Sequence, residues 1–577
     1  MPVFEELMPR TLVSGGPVLV LDGKTAPREA MVIDRGRIVG VGSKDEMTSL
    51  AGRAAAHLDL GGATAMPGLV NGHPHMLHFG ALTAPLVDLF DAASHEEIVS
   101  RIRARAQSTP PGEWIVCTPV GEPHYFIRRS YLDLPEKRLP DRHVLDRATR
   151  AHPVMIQAWA PKTPNACAFN SMGLGRVGVA RITPPRVCDV TVEKDDDGLP
   201  TGILRGPVNN YYSDDPFWLQ ILARLPQPTD MLWEVGAWEG MRMMNRLGVT
   251  AGYEAHVMDL AHIRAFQKVR DEGGATCRIS CALEISNGAF NPYSDPSRAD
   301  VLAQCELGKS IADLEDDWVR VEGVTLVRGG PCWPGYLRMH EPYKDPFGRP
   351  TRGKTFLPRE YEELVIDYCG THDLRMNMVL GGYRDHDDFF ASLAPYVEKH
   401  RIRERRWVAQ HSILISEDHC RRYADLAFDM TTSVGFAWGK GDVYAERMGR
   451  EVWPDLIPLG RMIDAGLNVS CGTDWGPLSI FEQIALAETH EFCGSGHRNL
   501  LPGHAVTREQ SLLTWTRNGA RLMQWEGIGS LLPGYHADFI VVDRNPLTCP
   551  VEDLPGTRVL RTIVGGRTVG VRPSITQ

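Results

Sequence analysis

Four residues of this 577-residue chain stand where side chains could do chemistry on a metal ion. In Gly68-Leu69-Val70-Asn71-Gly72-His73-Pro74-His75, a short apolar strand runs straight into two histidines one residue apart. Residues i and i+2 at a strand end point to the same side, so both imidazoles can meet one ion at roughly 2.0–2.1 Å. Asn468-Val469-Ser470-Cys471-Gly472-Thr473-Asp474 has the same form but ends in a carboxylate. At the C-terminal end of a late barrel strand, such an aspartate could ligate a metal and take a proton from a water the metal activates. Elsewhere the same pattern is a helix cap or a turn. Trp407-Val408-Ala409-Gln410-His411 is a third apolar run, closed by a histidine that is either a ligand or structural.

Strands are needed to hold these residues, and the middle of the chain supplies candidates. Apolar β-like runs alternate with helical stretches at 151–159, 250–254, 319–327, 374–380, 407–409 and 467–471. Strand and helix alternating over more than 400 residues predict parallel βα units, hence an α/β fold, a barrel or an open doubly wound sheet. No GxGxxG or P-loop is present, which weakens the nucleotide-binding sheet. Both ends read differently. Runs at 17–21, 30–33 and 37–42 are separated by Gly turns, and 537–543 and 559–564 have the same hairpin form. The ends are therefore expected to build one small sheet module together.

Composition sets the limits. The formal charge is −10, with no basic face to compensate, which excludes a nucleic-acid partner. Apolar residues make up 43%, enough for a large core, yet no run is long enough to span a membrane. The opening MPVFEELMPR lacks a basic start followed by an apolar stretch, so no secretory leader is read and a cytoplasmic location is expected. The twelve cysteines are scattered without zinc-ribbon or redox spacing and read as reduced. The expected partners are a small-molecule substrate and further copies of the chain in a homo-oligomer.

In this order and with these flanks, the three segments resemble the amidohydrolase superfamily, in the branch that includes N-substituted formamide deformylase. The resemblance covers nearly the whole chain. It rests on the PGLVNGHPH stretch ending at His75, on Trp114-Ile115-Val116 with Gly121-Glu122, on Pro200-Thr201-Gly202-Ile203-Leu204, on Asn518-Gly519-Ala520, and above all on the long run Ile528 to Asp538. It implies a (β/α)8 TIM-like barrel over 67–520 and a β-sandwich-like module from 1–66 and 521–577. It also implies divalent metal at the barrel mouth, zinc most usually, with iron, manganese or nickel suiting the same donors. By motif position, His73 and His75 match the first-strand ligands, His411 the sixth-strand histidine, and Asp474 the eighth-strand aspartate that binds metal and moves protons.

Departures bear on the metal count. Thr325 falls where two-metal members carry a bridging Lys, and Met378 where they carry a fifth-strand histidine. Asn165 and Gly206 fall where relatives often have His and Glu, while Asn170 is kept. A thioether and a hydroxyl poorly replace imidazole and carboxylated lysine, so one metal is expected. His256 and His340 could be replacement ligands, substrate contacts or structural residues. The expected reaction is hydrolysis of an amide or formamide C–N bond. The alternatives are deamination or decarboxylation on the same fold, or a catalytically silent subunit.

Overall fold

A computed structural model describes residues 7–571 apart from 84, 123–127, 159–161, 287–295 and 475. Eight parallel strands form its centre, in the order Leu69–Asn71, Val249–Glu254, Arg278–Glu284, Val319–Val327, Arg375–Leu380, Val408–His411, Asp429–Thr432 and Asn468–Cys471. They are called here the first to eighth barrel strands. Helices such as Leu260–Asp271, Arg298–Ser310 and Arg359–His372 follow the strands and cover their outer face. Every residue of the second, third and fifth strands is buried, because the axis side meets the barrel interior and the other side meets helices. The third and seventh strands were not among the runs expected from sequence.

First and eighth strands close the ring through a few bonds at the level of the histidines. The Gly72 amide donates to Cys471 O at 2.8 Å, and the Asp474 amide donates to His73 O at 2.9 Å. Asn71 clamps the same seam. Its Oδ1 accepts from the amides of His73 at 3.2 Å and Thr473 at 3.1 Å, and its Nδ2 donates to Thr473 Oγ1 at 2.9 Å.

The two ends of the chain form one eight-stranded sheet. Phe539–Val542 pairs antiparallel with Thr64–Pro67, so the C-terminal hairpin is inserted beside the N-terminal strands. Alternation explains the joint. Phe539 and Val541 fill the module's own core, whereas Ile540 and Val542 belong to the core of the barrel. At the contact Arg278 reaches from the third barrel strand to Asp538, Nε to Oδ2 at 2.7 Å.

Between the first two barrel strands lies a further six-stranded sheet, running from Ile115–Cys117 to Arg186–Val187 at its edges. The run at 151–159, expected as a barrel strand, contributes Val154–Ile156 to this sheet instead. Asn165 and Gly206 are paired opposite one another here, in the pairing of Asn165–Phe169 with Pro200–Gly206. Asn170 caps the helix Ser171–Val177, its side chain accepting from the Gly173 amide at 2.8 Å. Among the described residues, no helix is long and apolar enough to cross a membrane.

Candidate metal centre

His73 and His75 leave the first barrel strand, His411 ends the sixth and Asp474 follows the eighth, so all four project from the C-terminal mouth. His73 Nε2 lies 3.0 Å from His75 Nε2, 3.3 Å from His411 Nε2 and 3.3 Å from Asp474 Oδ2. His411 Nε2 is 3.2 Å from Asp474 Oδ2, and His75 Nε2 is 3.8 Å from Asp474 Oδ1. The tightest group of potential ligands is His73, His411 and Asp474, with His75 against it. Sequence reasoning placed these four together, and so does the fold.

Backbone conformation is unusual here. His75, His411 and Asp474 have φ of 49°, 69° and 40°, in the left-handed region that L-residues avoid. Such conformations persist where the surroundings enforce them, and they cluster at functional sites. The surroundings are tight. A Cβ on Gly472 would fall 2.5 Å from His73 Cβ, so this position needs glycine for the eighth strand to pass His73.

Electrostatics favour the ligand forms. Burial holds His73 and His411 below the ordinary imidazole value and pushes His75 down to about 3, against the opposing pull of Asp474. Burial thus opposes a second proton on each of the three rings. Burial alone would raise the Asp474 carboxyl, but the facing His73, His411 and His75 hold it well below the usual range. The Gln410 side-chain amide sits against Nδ1 of His73, which leaves Nε2 as the nitrogen facing the cluster. Asp474 Oδ1 is buried and accepts no hydrogen bond among the described residues. Three imidazole nitrogens and two carboxylate oxygens crowd one point, where a cation could draw on all of them. This N/O donor set suits a divalent first-row ion, so the residues fit the expected metal.

His256 joins the cluster from the end of the second strand. Its ring centroid is 5.7 Å from those of His73 and His75 and 5.5 Å from that of His411. Its Nδ1 lies 2.6 Å from Glu284 Oε2, and its Nε2 lies 3.2 Å from the Tyr212 hydroxyl. Glu284 also accepts from the Val257 amide at 2.5 Å. A carboxylate fixing one imidazole nitrogen orients the other, the arrangement common around metal sites. Glu284, Tyr212 and Gln410 were not singled out from sequence. Glu284 ends an apolar strand, just as His411 does, and that form was the available signal.

Thr325 does face the barrel interior. Its hydroxyl donates to Ala255 O and accepts from Asn377 Nδ2 at 3.1 Å. Met378 does not, which corrects the expected register. Asn377 points inward, to Thr325 and Gln410, so its neighbour Met378 points to the helices and sits in the apolar core. His340 is exposed, 2.8 Å from Asp387 Oδ2, and takes no part in the cluster.

A pocket above the cluster is lined by His411 and Asp474, by the aromatic Tyr211, Tyr212, Trp333 and Phe436, and by Lys440. The tryptophans of the sequence fall in different places, and among the described residues Trp333 is the one in this lining. Trp438 packs instead beneath the Arg128 guanidinium, 5.1 Å from the ring centroid. Trp159 and Trp475 lie outside the described residues. Arg447 ties the covering loop to the helix Gly435–Met448 by donating to Cys332 O at 2.7 Å and Trp333 O at 3.1 Å.

Residues 57–570 match the amidohydrolase family (Amidohydro_3). N-substituted formamide deformylase of Arthrobacter pascens is 25% identical over 96% of this chain and 97% of its own length. A metal-dependent hydrolase of Pyrococcus furiosus, solved as a crystal structure, superposes with a TM-score of 0.69 at 19% identity, over 93% of this chain and 100% of that one. Atrazine chlorohydrolase TrzN of Arthrobacter aurescens TC1, solved with zinc, shares the fold at a TM-score of 0.52 and 15% identity, over 98% and 97%. A family match across nearly the whole chain agrees with an eight-stranded parallel barrel whose mouth gathers histidines and an aspartate. This chain therefore belongs to the amidohydrolase family of metal-dependent hydrolases.

Proposed function

We propose that this enzyme hydrolyses the C–N bond of an amide or formamide in a small, largely apolar substrate, with one divalent metal, zinc in the first instance, held by His73, His75, His411 and Asp474. The convergence of those four side chains within 4 Å of one another along the contacts given above carries the reading. The similarity to N-substituted formamide deformylase supports the bond type, and the zinc in TrzN supports the ion.

A metal bound there supplies a Lewis acid that polarises the carbonyl and lowers the pKa of water to roughly 7. The protein does the rest. Asp474, ionised and buried, takes the proton of the attacking water and hands it to the departing nitrogen. His256, fixed by Glu284, stands beside the ligand histidines, and the Tyr212 hydroxyl links it to the pocket wall. Tyr211, Trp333 and Phe436 keep bulk water away from the reacting bond. One metal is proposed because Thr325 offers only a hydroxyl, already shared with Ala255 and Asn377, where a second ion would need an anionic bridge.

Elemental analysis and product analysis test this together. One transition metal per chain is expected, with free amine and acid released from a panel of N-acyl amines. His73→Ala and Asp474→Ala should lose both metal and activity, whereas Thr325→Ala should keep the metal. Ammonia as product would instead indicate a deaminase, and carbon dioxide a decarboxylase. Protein that binds no metal, and gains no activity when metal is supplied, would refute the reading.

A further inference from the structure

The end of the barrel away from the metal centre has a cavity of its own, about 1010 Å³ in volume. Arg406 lines it just before the sixth barrel strand, whose far end carries His411. Arg517 and Arg521 enter from the helix Arg517–Leu522, and Lys24, Arg37 and Tyr535 from the terminal sheet and its turns. The cavity therefore lies on the joint between that sheet and the barrel.

Its charge is opposite to that of the chain. Among the described residues five cations line it against two carboxylates, Asp22 and Glu526, although the whole protein carries −10. Asp22 is already engaged. Its Oδ1 accepts from the amides of Lys24 and Thr25, and its Oδ2 from the Thr25 hydroxyl. Of the five cations, Arg406 alone forms an ion pair among the described residues, with Asp429 Oδ1 at 2.8 Å. Arg37 and Arg517 donate to neutral carbonyls, Gly534 O at 3.3 Å and Asp22 O at 2.7 Å. Arg517 and Arg521 stand one turn apart on the same helix face, where like charges destabilise one another. Burial, and then the Arg521 charge, hold the Arg517 guanidinium below its ordinary value. Trp525 also lines the cavity, and its Nε1 is buried with no acceptor among the described residues. Donors and positive charge gather here without oxygens to match them.

Guanidinium forks fit phosphate oxygens in pairs. A phosphate monoester carries close to two negative charges at pH 7, which suits this excess of cations better than a single carboxylate does. Trp525, Ile528 and Tyr535 add an apolar wall. We propose that this cavity is a second ligand site, which binds a phosphate ester with an aromatic or apolar organic part. Bound there, the ester bridges the terminal sheet and the barrel, so occupancy stabilises the joint. The site does not depend on the reaction at the other end of the barrel.

Calorimetry on metal-loaded protein with phenyl phosphate, inorganic phosphate and benzoate tests it. The wild type should bind phenyl phosphate about tenfold more tightly than either of the others, the scale of one buried ring or one added charge-assisted bond. Arg521 is exposed and in no ion pair among the described residues, so Arg521→Gln should fold. It should weaken phenyl phosphate binding about tenfold or more and leave the metal content unchanged. Lys24→Gln is measured as a second variant, and Arg181→Gln, exposed and outside the cavity, should bind as the wild type does. In thermal melts phenyl phosphate should raise the wild-type midpoint and leave that of Arg521→Gln nearly unmoved. Equal affinity for inorganic phosphate overturns the ester in favour of free phosphate, and equal affinity for benzoate overturns the phosphate. Absence of binding in the wild type overturns the site. So does an affinity unchanged in both Arg521→Gln and Lys24→Gln, because the metal centre alone would then account for the phosphate bound.

Discussion

Glu284 and His256 form a buried acid–imidazole pair beside the ligand cluster, and a pair of this kind is costly to break from one side. Glu284→Leu leaves His256 Nδ1 and the Val257 amide without their acceptor. It should lower unfolding free energy by about 3–5 kcal/mol in denaturant titrations. Glu284→Gln keeps an acceptor oxygen and should lose clearly less. Thr325→Ala removes a hydroxyl bonded to Ala255 O and Asn377, for about 1 kcal/mol, without touching a ligand. The ligands were legible because each ends a short strand with a polar residue in an otherwise apolar run. His411 and Asp474 needed the barrel before either could be more than a cap or a core residue. Met378 was misassigned by one position for a physical reason. Met376, Met378, Val379 and Leu380 are all apolar, because a strand buried on both faces has no polar side to fix its phase. Asn377 was the clue, the one polar residue between the methionines. Lys440 carries no motif, and its setting exists only once the helix after the seventh strand is in place.

At the scale of elements, the helix Met76–Thr83 that continues from His75 is pressed against Asp230–Arg246 through glycines. A Cβ on Gly236 would lie 2.6 Å from Leu77 O and 2.8 Å from Ala81 Cβ, and one on Gly240 would run into the Met76 carbonyl. Backbones can approach this closely only where no side chain intervenes. Gly240→Ala should therefore push the Met76 end of the helix away, lower stability by about 1–3 kcal/mol, and weaken metal binding through displaced His75. Metal titration of the folded variant checks it, and unchanged affinity would show that His75 is positioned independently of this helix. The pairing of the terminal hairpins was readable from Gly turns and alternation. The six-stranded sheet between the first two barrel strands was not. Its strands are short apolar runs like those of the barrel, so 151–159 was counted with the wrong sheet. Local sequence states that a strand forms, but only the connection shows which sheet receives it.

At the scale of the molecule, the terminal sheet is held to the barrel by Arg278, which donates from Nε to Asp538 at 2.7 Å and lies 3.0 Å from His536 Nδ1 through Nη2. Burial, followed by the nearby Arg278 charge, depresses the His536 imidazole to about 4. The unfolded chain takes up the proton near pH 6.5, so this contribution to stability is complete above pH 6.5 and is lost as pH falls towards 4. Melting temperatures between pH 7.5 and 4.5 should fall, and His536→Gln should make the fall shallower. An unchanged slope would mean that other buried histidines dominate it. The closure of the first strand on the eighth has a consequence for how the protein is made. Gly72 and His73 meet Cys471 and Asp474 only after some 400 intervening residues have been synthesised. A growing chain that has left the ribosome as far as Thr489 holds every ligand, yet Thr64–Pro67 still lacks its partner Phe539–Val542. The metal can therefore be captured before the terminal sheet exists, and arrested chains of increasing length should acquire metal first and resistance to proteolysis at the terminal sheet second.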